Sequence, residues 1–183
     1  MLLRRIAIGA VVAALLTAGS AFAQNKQDRQ REERRAHAAQ TLDRLFTEVG
    51  SSKALYDKAV GYAVFAVTKA GFFVTGGGGT GVTINKATGE TVYMKLGMGG
   101  VGFGFGGQHY DMVILFETAD RLKTFIDGGW DGRAAAKAVA GSEVASAGSG
   151  FIDGAIVYTL GEKGLMASAD ISGTRFWVDD KLN

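Results

Sequence analysis

The 183-residue chain contains no cysteine and no proline, and only two histidines. Without cysteine there is no disulfide, no thiol nucleophile, no cysteine-ligated metal and no lipid-modified N-terminal cysteine. Without proline, chain reversals fall to glycine, of which there are 28. The two histidines, His37 and His109, show no HExxH or comparable metal-ligand spacing. No apolar run reaches the roughly 20 residues that a membrane-spanning helix needs. Neither sign of charge dominates. Twenty basic residues face 18 acidic ones, and loss of a leader carrying Arg4 and Arg5 would leave 18 against 18. A near-neutral chain is a poor nucleic-acid binder, so no nucleic-acid partner is expected.

A leader of that kind is what the first residues spell. Arg4 and Arg5 precede an apolar run from Ile6 to Leu16, followed by Ala21-Phe22-Ala23. This is the charged, apolar and small-residue order of a secretory signal peptide over 1–23. Cleavage after Ala23 would place the mature chain in an exported, periplasmic location, and an uncleaved anchor is the other reading. Residues 24–41 open as a polar helical extension. Within and after it, Ala38, Leu42, Leu45, Phe46 and Val49 recur at helical spacing. Such a helix could lie on anionic lipid, or dock on a core with a solvated charged end.

From 42 to 183 the pattern is that of a single domain. Ser51 or Ser52 can cap a short helix through Lys58. Tyr62 to Val67 reads as a buried strand, Thr68 to Gly71 as a turn, and Phe72 to Ile84 as a second strand running through the glycines at 76–79. Asn85 to Gly89 is a hairpin loop, and Thr91 to Leu96 returns as a third strand. The stretch Leu96 to Phe116 then reads as a fourth. Gly102, Gly104 and Gly106 alternate with Val101, Phe103 and Phe105, a strand period with one bare face. Gly99-Gly100 suggests a bulge, and Met112 to Phe116, apolar on both faces, an interior strand. Thr118 caps a helix bearing Leu122, Phe125 and Ile126. Ala134 to Ala147 is helical by propensity but interrupted by glycine and serine. Ile152 to Leu160 and Leu165 to Ile171 form a hairpin, and Arg175 to Val178 a last short element. The expected fold class is α+β: a mainly antiparallel glycine-rich β-sheet, sandwich or barrel-like, with N-terminal helices and one further helix.

Motifs that suggest chemistry fail on inspection. Gly76 to Thr83 has Val82 where a phosphate-binding loop needs lysine. Gly97 to Gly102 satisfies G-x-G-x-x-G but continues as a strand, whereas the dinucleotide site opens a helix. His109 and Asp111 share a strand face and could form an acid–base pair, with no nucleophile motif beside them. No catalytic residue, metal site or cofactor is expected. Lys53, Lys58 and Lys69 are different: they stand near Tyr56, Phe72 and Phe73, and basic groups beside aromatic ones suit an anionic lipid headgroup.

Lys69-Ala-Gly-Phe72, the glycine cluster after it, Gly97 to Gln108 and the Asp153 to Ser172 hairpin resemble the SYLF lipid-binding domain family, in order and spacing, from about Leu42 to Ser172. A proline common in the family near Ala66 is absent here. The resemblance implies a non-enzymatic phospholipid-binding module. Eukaryotic members favour phosphoinositides and some act on actin. An exported protein would meet neither routinely, so anionic phospholipid at a peripheral membrane contact is the partner carried over. The implied contacts are the Leu42 to Val49 helix, Lys58 and Lys69. With the residue reading, this makes Lys53, Lys58, Lys69 and Phe72 the candidate lipid-binding set. The resemblance also implies that Ala134 to Ala147 is extended. Two other readings stand beside it: a small outer-membrane β-barrel, suggested by export and alternating strands, and a structural or assembly protein whose glycine faces pack on another chain.

Overall fold

The computed structural model describes residues 2–71, 74–101, 106–128, 150–166 and 173–183. Three helices and seven strands alternate along them: α1 (Leu2–Glu48), α2 (Ser52–Lys58), β1 (Gly61–Gly71), β2 (Val74–Asn85), β3 (Thr91–Val101), β4 (Gly106–Phe116), α3 (Ala119–Ile126), β5 (Ala155–Gly161), β6 (Gly164–Leu165) and β7 (Thr174–Val178). The strands form one antiparallel sheet in the order β6-β5-β4-β1-β2-β3-β7. The α+β class is as expected, and β4 lies inside the sheet between β1 and β5.

Three expectations are corrected. The stretch Leu96 to Phe116 is not one strand. Its first part completes β3 beside β2, and its second part is β4 beside β1. Gly99 and Gly100 make no bulge, because they pair in unbroken register with Gly76 and Thr75. Thr68 to Gly71 is not a turn but the end of β1, laddered to Gly78, Gly77, Gly76 and Thr75 on one side and to His109, Gln108, Gly107 and Gly106 on the other. Gly102, Gly104, Phe72 and the segment Ala134 to Ala147 lie outside the described residues.

The sheet is covered on both faces. On one face, Ala38, Leu42 and Leu45 of α1, with Val49 just after it, pack on Val64, Val82, Val113, Leu115, Tyr158 and Leu160. The apolar stripe of α1 is therefore docked on the sheet, the second of the two readings of that helix. On the other face, Leu122 and Phe125 of α3 pack on Phe65, Met112, Phe116 and Phe176. Phe65 and Phe176 meet with ring centroids 5.3 Å apart. Their strands are three steps apart, about 14 Å on a flat sheet. The sheet must therefore curl around α3, with β7 folding back toward β1. Glycine makes room for the curl. Gly77, Gly79 and Gly81 of β2 point to this concave face, where Met98, Leu96 and Phe65 lie across them. Among the described residues the sheet runs from β6 to β7 without closing. A lipid-facing barrel exposes its outer face, whereas here α1 buries much of that face.

Local signals match physical causes. Thr118 caps α3 by accepting a hydrogen bond from Arg121 N, and Gly128 ends it in the left-handed region, at φ +77°. Ser51 occupies the N-cap position of α2 but its side chain does not cap the helix, while Ser52 Oγ donates back to Leu45 O at 3.3 Å. The β2–β3 loop is held by Asn85, whose Oδ1 accepts from Ala87 N and Thr88 N.

Candidate functional site

Beyond the apolar stripe, α1 is fastened to the sheet by polar contacts from its exposed flank. Near its middle, His37 Nε2 lies 2.8 Å from Asp111 Oδ1, and Thr41 Oγ1 donates to Asp111 Oδ2 at 3.3 Å. Further along, Arg44 Nε donates to Glu48 at 2.7 Å, and its Nη2 donates to Gly161 O. Nearer the N-terminus, Arg34 and Lys95 both bind Asp179, at 2.9 and 2.7 Å. Arg31 Nε donates to Leu182 O at 2.8 Å, and Arg35 Nε to the Tyr93 hydroxyl at 2.6 Å. Asn183 completes this corner by pairing its side-chain amide with both backbone groups of Tyr93.

Between α1 and the far ends of β1, β2, β4 and β5 lies a groove of about 610 Å³. His37, Arg44, His109, Asp111 and Glu162 line it, over a floor of small residues such as Ala66 and Gly78. Its polar groups do not form a nucleophile–base–acid relay. The Asp111 hydrogen bond raises the His37 pKa above its usual value, against a smaller lowering by burial. In a nucleophile–base–acid relay the two ring nitrogens serve different partners. Here the Thr41 hydroxyl and Asp111 both approach the same Nε2, at 3.4 and 2.8 Å, and Thr41 is buried. His109 turns instead to Thr68, with Nδ1 and Oγ1 hydrogen-bonded at 3.0 Å. His109 and Asp111 do share a face of β4, but Asp111 is engaged by α1. Among the described residues, no group of three or more His, Asp or Glu could hold a metal ion.

The candidate lipid-binding residues fall in two places. Lys53 and Lys58 are exposed on α2, beside a cluster of half-buried rings. Phe46 and Tyr56 have centroids 5.1 Å apart, and Tyr56 and Tyr62 5.4 Å apart. Lys53 Nζ stands 5.8 Å from the Phe46 and Tyr56 rings and bonds Asp57 at 2.5 Å. Burial, with a contribution from Tyr56, pushes the Tyr62 hydroxyl up to about 12. Lys69 lies at the other end of β1, roughly 25 Å away along the strand. One headgroup cannot touch both places. Phe72 lies outside the described residues. The Leu42 to Val49 stripe is occupied by the sheet, so it meets lipid only if α1 undocks.

Two features of the structure carry no signal in the sequence, one at the α2 corner and one near the C-terminus. Lys86, in the β2–β3 loop, donates to Tyr56 O at 2.6 Å and Ala59 O at 3.0 Å, with Nζ 4.3 Å from the Tyr56 ring centroid. It thereby satisfies carbonyls left over at the α2 C-terminus. Asp179 is buried at 3% side-chain exposure, yet burial, which would raise its pKa, is outweighed by the Lys95 and Arg34 hydrogen bonds that lower it. A lone lysine in a turn and an aspartate near the C-terminus carry no local signal, because their partners are distant in sequence.

This is a helix-covered, curled antiparallel sheet whose polar contacts fasten its elements together. Residues 97–183 match the family model Ysc84, described as a Las17-binding protein actin regulator. The chain is 42% identical over 141 residues to beta cell expansion factor A of Aeromonas veronii, covering 77% of this chain and 54% of that protein. It is 37% identical over 76 residues to SH3 domain-containing YSC84-like protein 1 of Xenopus laevis, 39% of this chain and 23% of that one. The chain thus spans about half of the first relative and a quarter of the second. It belongs to the Ysc84, or SYLF, domain family.

Proposed function

We propose that this protein is a non-enzymatic module that binds anionic phospholipid at a membrane surface, exported to the periplasm. The observation that carries the reading is the α2 corner, where exposed Lys53 lies 5.8 Å from the Phe46 and Tyr56 rings of the Phe46–Tyr56–Tyr62 cluster and exposed Lys58 ends the same helix. Cations on flexible stems beside amphipathic rings suit an interface that is anionic outside and apolar within. Family membership supports a binding module, since the family description names binding and regulation rather than a reaction. The export half of the reading rests on the Arg4-Arg5, Ile6 to Leu16 and Ala21-Phe22-Ala23 pattern. No helix among the described residues is long and apolar enough to cross a membrane.

The test is vesicle co-sedimentation of the purified protein and of a Lys53→Glu/Lys58→Glu variant, with phosphatidylglycerol-containing and pure phosphatidylcholine vesicles. Binding to the anionic vesicles, weakened in the variant, is expected. Equal binding by the variant would remove these lysines from the site. N-terminal sequencing of protein from a periplasmic extract should begin near Gln24.

A further inference from the structure

We infer that the protein has a second membrane contact, centred on Trp177 at the β7 edge of the sheet. Trp177 is 46% exposed, and the only other large apolar side chain exposed among the described residues is Ile152. The position is built rather than accidental. The indole's benzo ring lies over β3 at Gly97, where an added Cβ would stand 3.0 Å from ring atom Cη2. A side chain at position 97 would push the ring outward by a few tenths of an ångström, so glycine gives it its close seat while much of the indole faces solvent. Trp177 pairs across the ladder with Lys95, and exposed Arg175 lies two residues away on the same face.

The charge around this edge is distinctive. Arg34 reaches Met94 O and Asp179, and Arg31 reaches Leu182 O, so α1 crosses β3 and the C-terminal tail toward the β7 side. Its polar segment 24–35 carries Lys26, Arg29, Arg31, Arg34 and Arg35 against Asp28, Glu32 and Glu33. Lys95, Arg175 and Lys181 add three cations, against Asp179 and Asp180. That is eight basic to five acidic residues, in a chain where residues 24–183 balance at 18 each. Of these cations, Lys95 and Arg175 stand beside the exposed indole on β3 and β7, and the rest lie on the α1 segment and C-terminal tail that cross this edge of the sheet.

A lone tryptophan beside two cations, Lys95 and Arg175, is a poor protein interface, which needs a contiguous apolar core and roughly 800 Å² per partner. It is a good bilayer contact, where a single indole settles among headgroups and flexible cations meet anionic lipid. The Trp177 strand lies three strands from β1, against which the α2 corner packs, so the two contacts are separate.

This inference rests on the phospholipid reading, and the test separates the two. The protein has two tryptophans, Trp130 and Trp177. A Trp130→Phe variant reports on Trp177 alone, titrated with phosphatidylglycerol/phosphatidylcholine vesicles with and without brominated acyl chains. A blue-shifted emission quenched by the brominated lipid is expected. Trp177→Ala should weaken vesicle partition by up to about sixtyfold, since roughly 100 Å² of indole no longer leaves water. Arg175→Glu, an exposed change that leaves the ring seat intact, should weaken it in the same direction, and circular dichroism checks that each variant is folded. If the parent protein ignores the vesicles, the phospholipid reading fails and this inference with it. If the parent binds while Trp177 emission and both variants are unchanged, only the Trp177 contact is overturned. A Trp177→Ala protein that binds vesicles normally but loses self-association in light scattering would overturn it in favour of a chain–chain contact.

Discussion

The glycines of β2 should divide into two classes when changed to alanine, alternating residue by residue. A Cβ at Gly81 would stand 2.1 Å from Val64 O and 2.6 Å from Phe65 Cδ1. At Gly79 it would stand 2.5 Å from Ala66 O, and at Gly77 2.6 Å from Thr68 O. These oxygens belong to β1, which is held on both sides by ladder pairing. Relief requires β1 and β2 to part, or Phe65 to leave a core position it fills completely. Overpacking of this kind costs about 1–3 kcal/mol, and each weakened ladder hydrogen bond adds about 1 kcal/mol. Alanine recovers only about 0.5–1 kcal/mol of backbone entropy. The net for Gly81→Ala is about 3 kcal/mol of destabilisation, or roughly 6–12 °C in Tm for a chain of this size. Gly76 has nothing within 4 Å, and Gly78 only Leu96 O at 3.5 Å. None of the five has a positive φ. Gly76→Ala should therefore be neutral or stabilising by up to about 1 kcal/mol, and Gly78→Ala nearly neutral. Urea unfolding followed by far-UV circular dichroism measures the series, with an unchanged m-value showing that stability alone has moved. A flat series, or Gly78→Ala as damaging as Gly79→Ala, would refute the claim that the bare glycine face exists to let the sheet curl.

Other predictions follow from single contacts. Leu45→Ala empties a fully buried site between α1 and the sheet and should cost about 2–5 kcal/mol in the same urea assay. Tyr158 is buried under α1 with a hydroxyl that has no hydrogen-bond partner, so Tyr158→Phe should be neutral or stabilising by about 1 kcal/mol; a loss above that would reveal a partner for the hydroxyl. The raised His37 pKa means that its bond to Asp111 stabilises fully below about pH 6.5 and fades as pH rises through the folded value. The ring is 42% exposed, so the effect is well under 1 kcal/mol after solvent screening; comparing stability between pH 5 and 8, His37→Gln should flatten the profile. Asp179 runs the opposite way: its lowered pKa gives stability present above about pH 3.8 and lost as pH falls through the folded value, so Asp179→Asn should remove part of the acid unfolding transition.

Most of the fold could be read along the chain because its signals are local. The Ala38–Leu42–Leu45–Val49 spacing, the two-sided apolarity of Met112 to Phe116 and the Thr118 cap each need only neighbouring residues to be recognised. The misreadings came from glycine. A run such as Leu96 to Phe116 shows a strand period on both sides of a chain reversal, and without proline or Asn-Gly nothing marks where one strand stops. For the same reason Thr68 to Gly71 looked like a turn, although β1 continues to Gly71 against glycine partners. Among the described residues, glycines that face a packed neighbour at every second position stand on β2, at Gly77, Gly79 and Gly81, inside the stretch that mimics a phosphate loop. The polar fastenings were illegible for a different reason. His37 and Asp111 are 74 residues apart, and Arg34 and Asp179 are 145 apart. Pairings at such separations leave no periodicity. The lysine–aromatic pattern was visible at Lys53 and Tyr56, but the placement of Lys69 at the opposite end of β1 depends on how far that strand runs.

The proposed binding of anionic phospholipid is tested most directly by co-sedimentation of the purified protein with vesicles at low and high salt. The expected result is binding to phosphatidylglycerol-containing vesicles at low ionic strength, weaker binding as salt screens the lysines and arginines, and little binding to phosphatidylcholine alone. Protein that stays in the supernatant with every vesicle at low salt would contradict it.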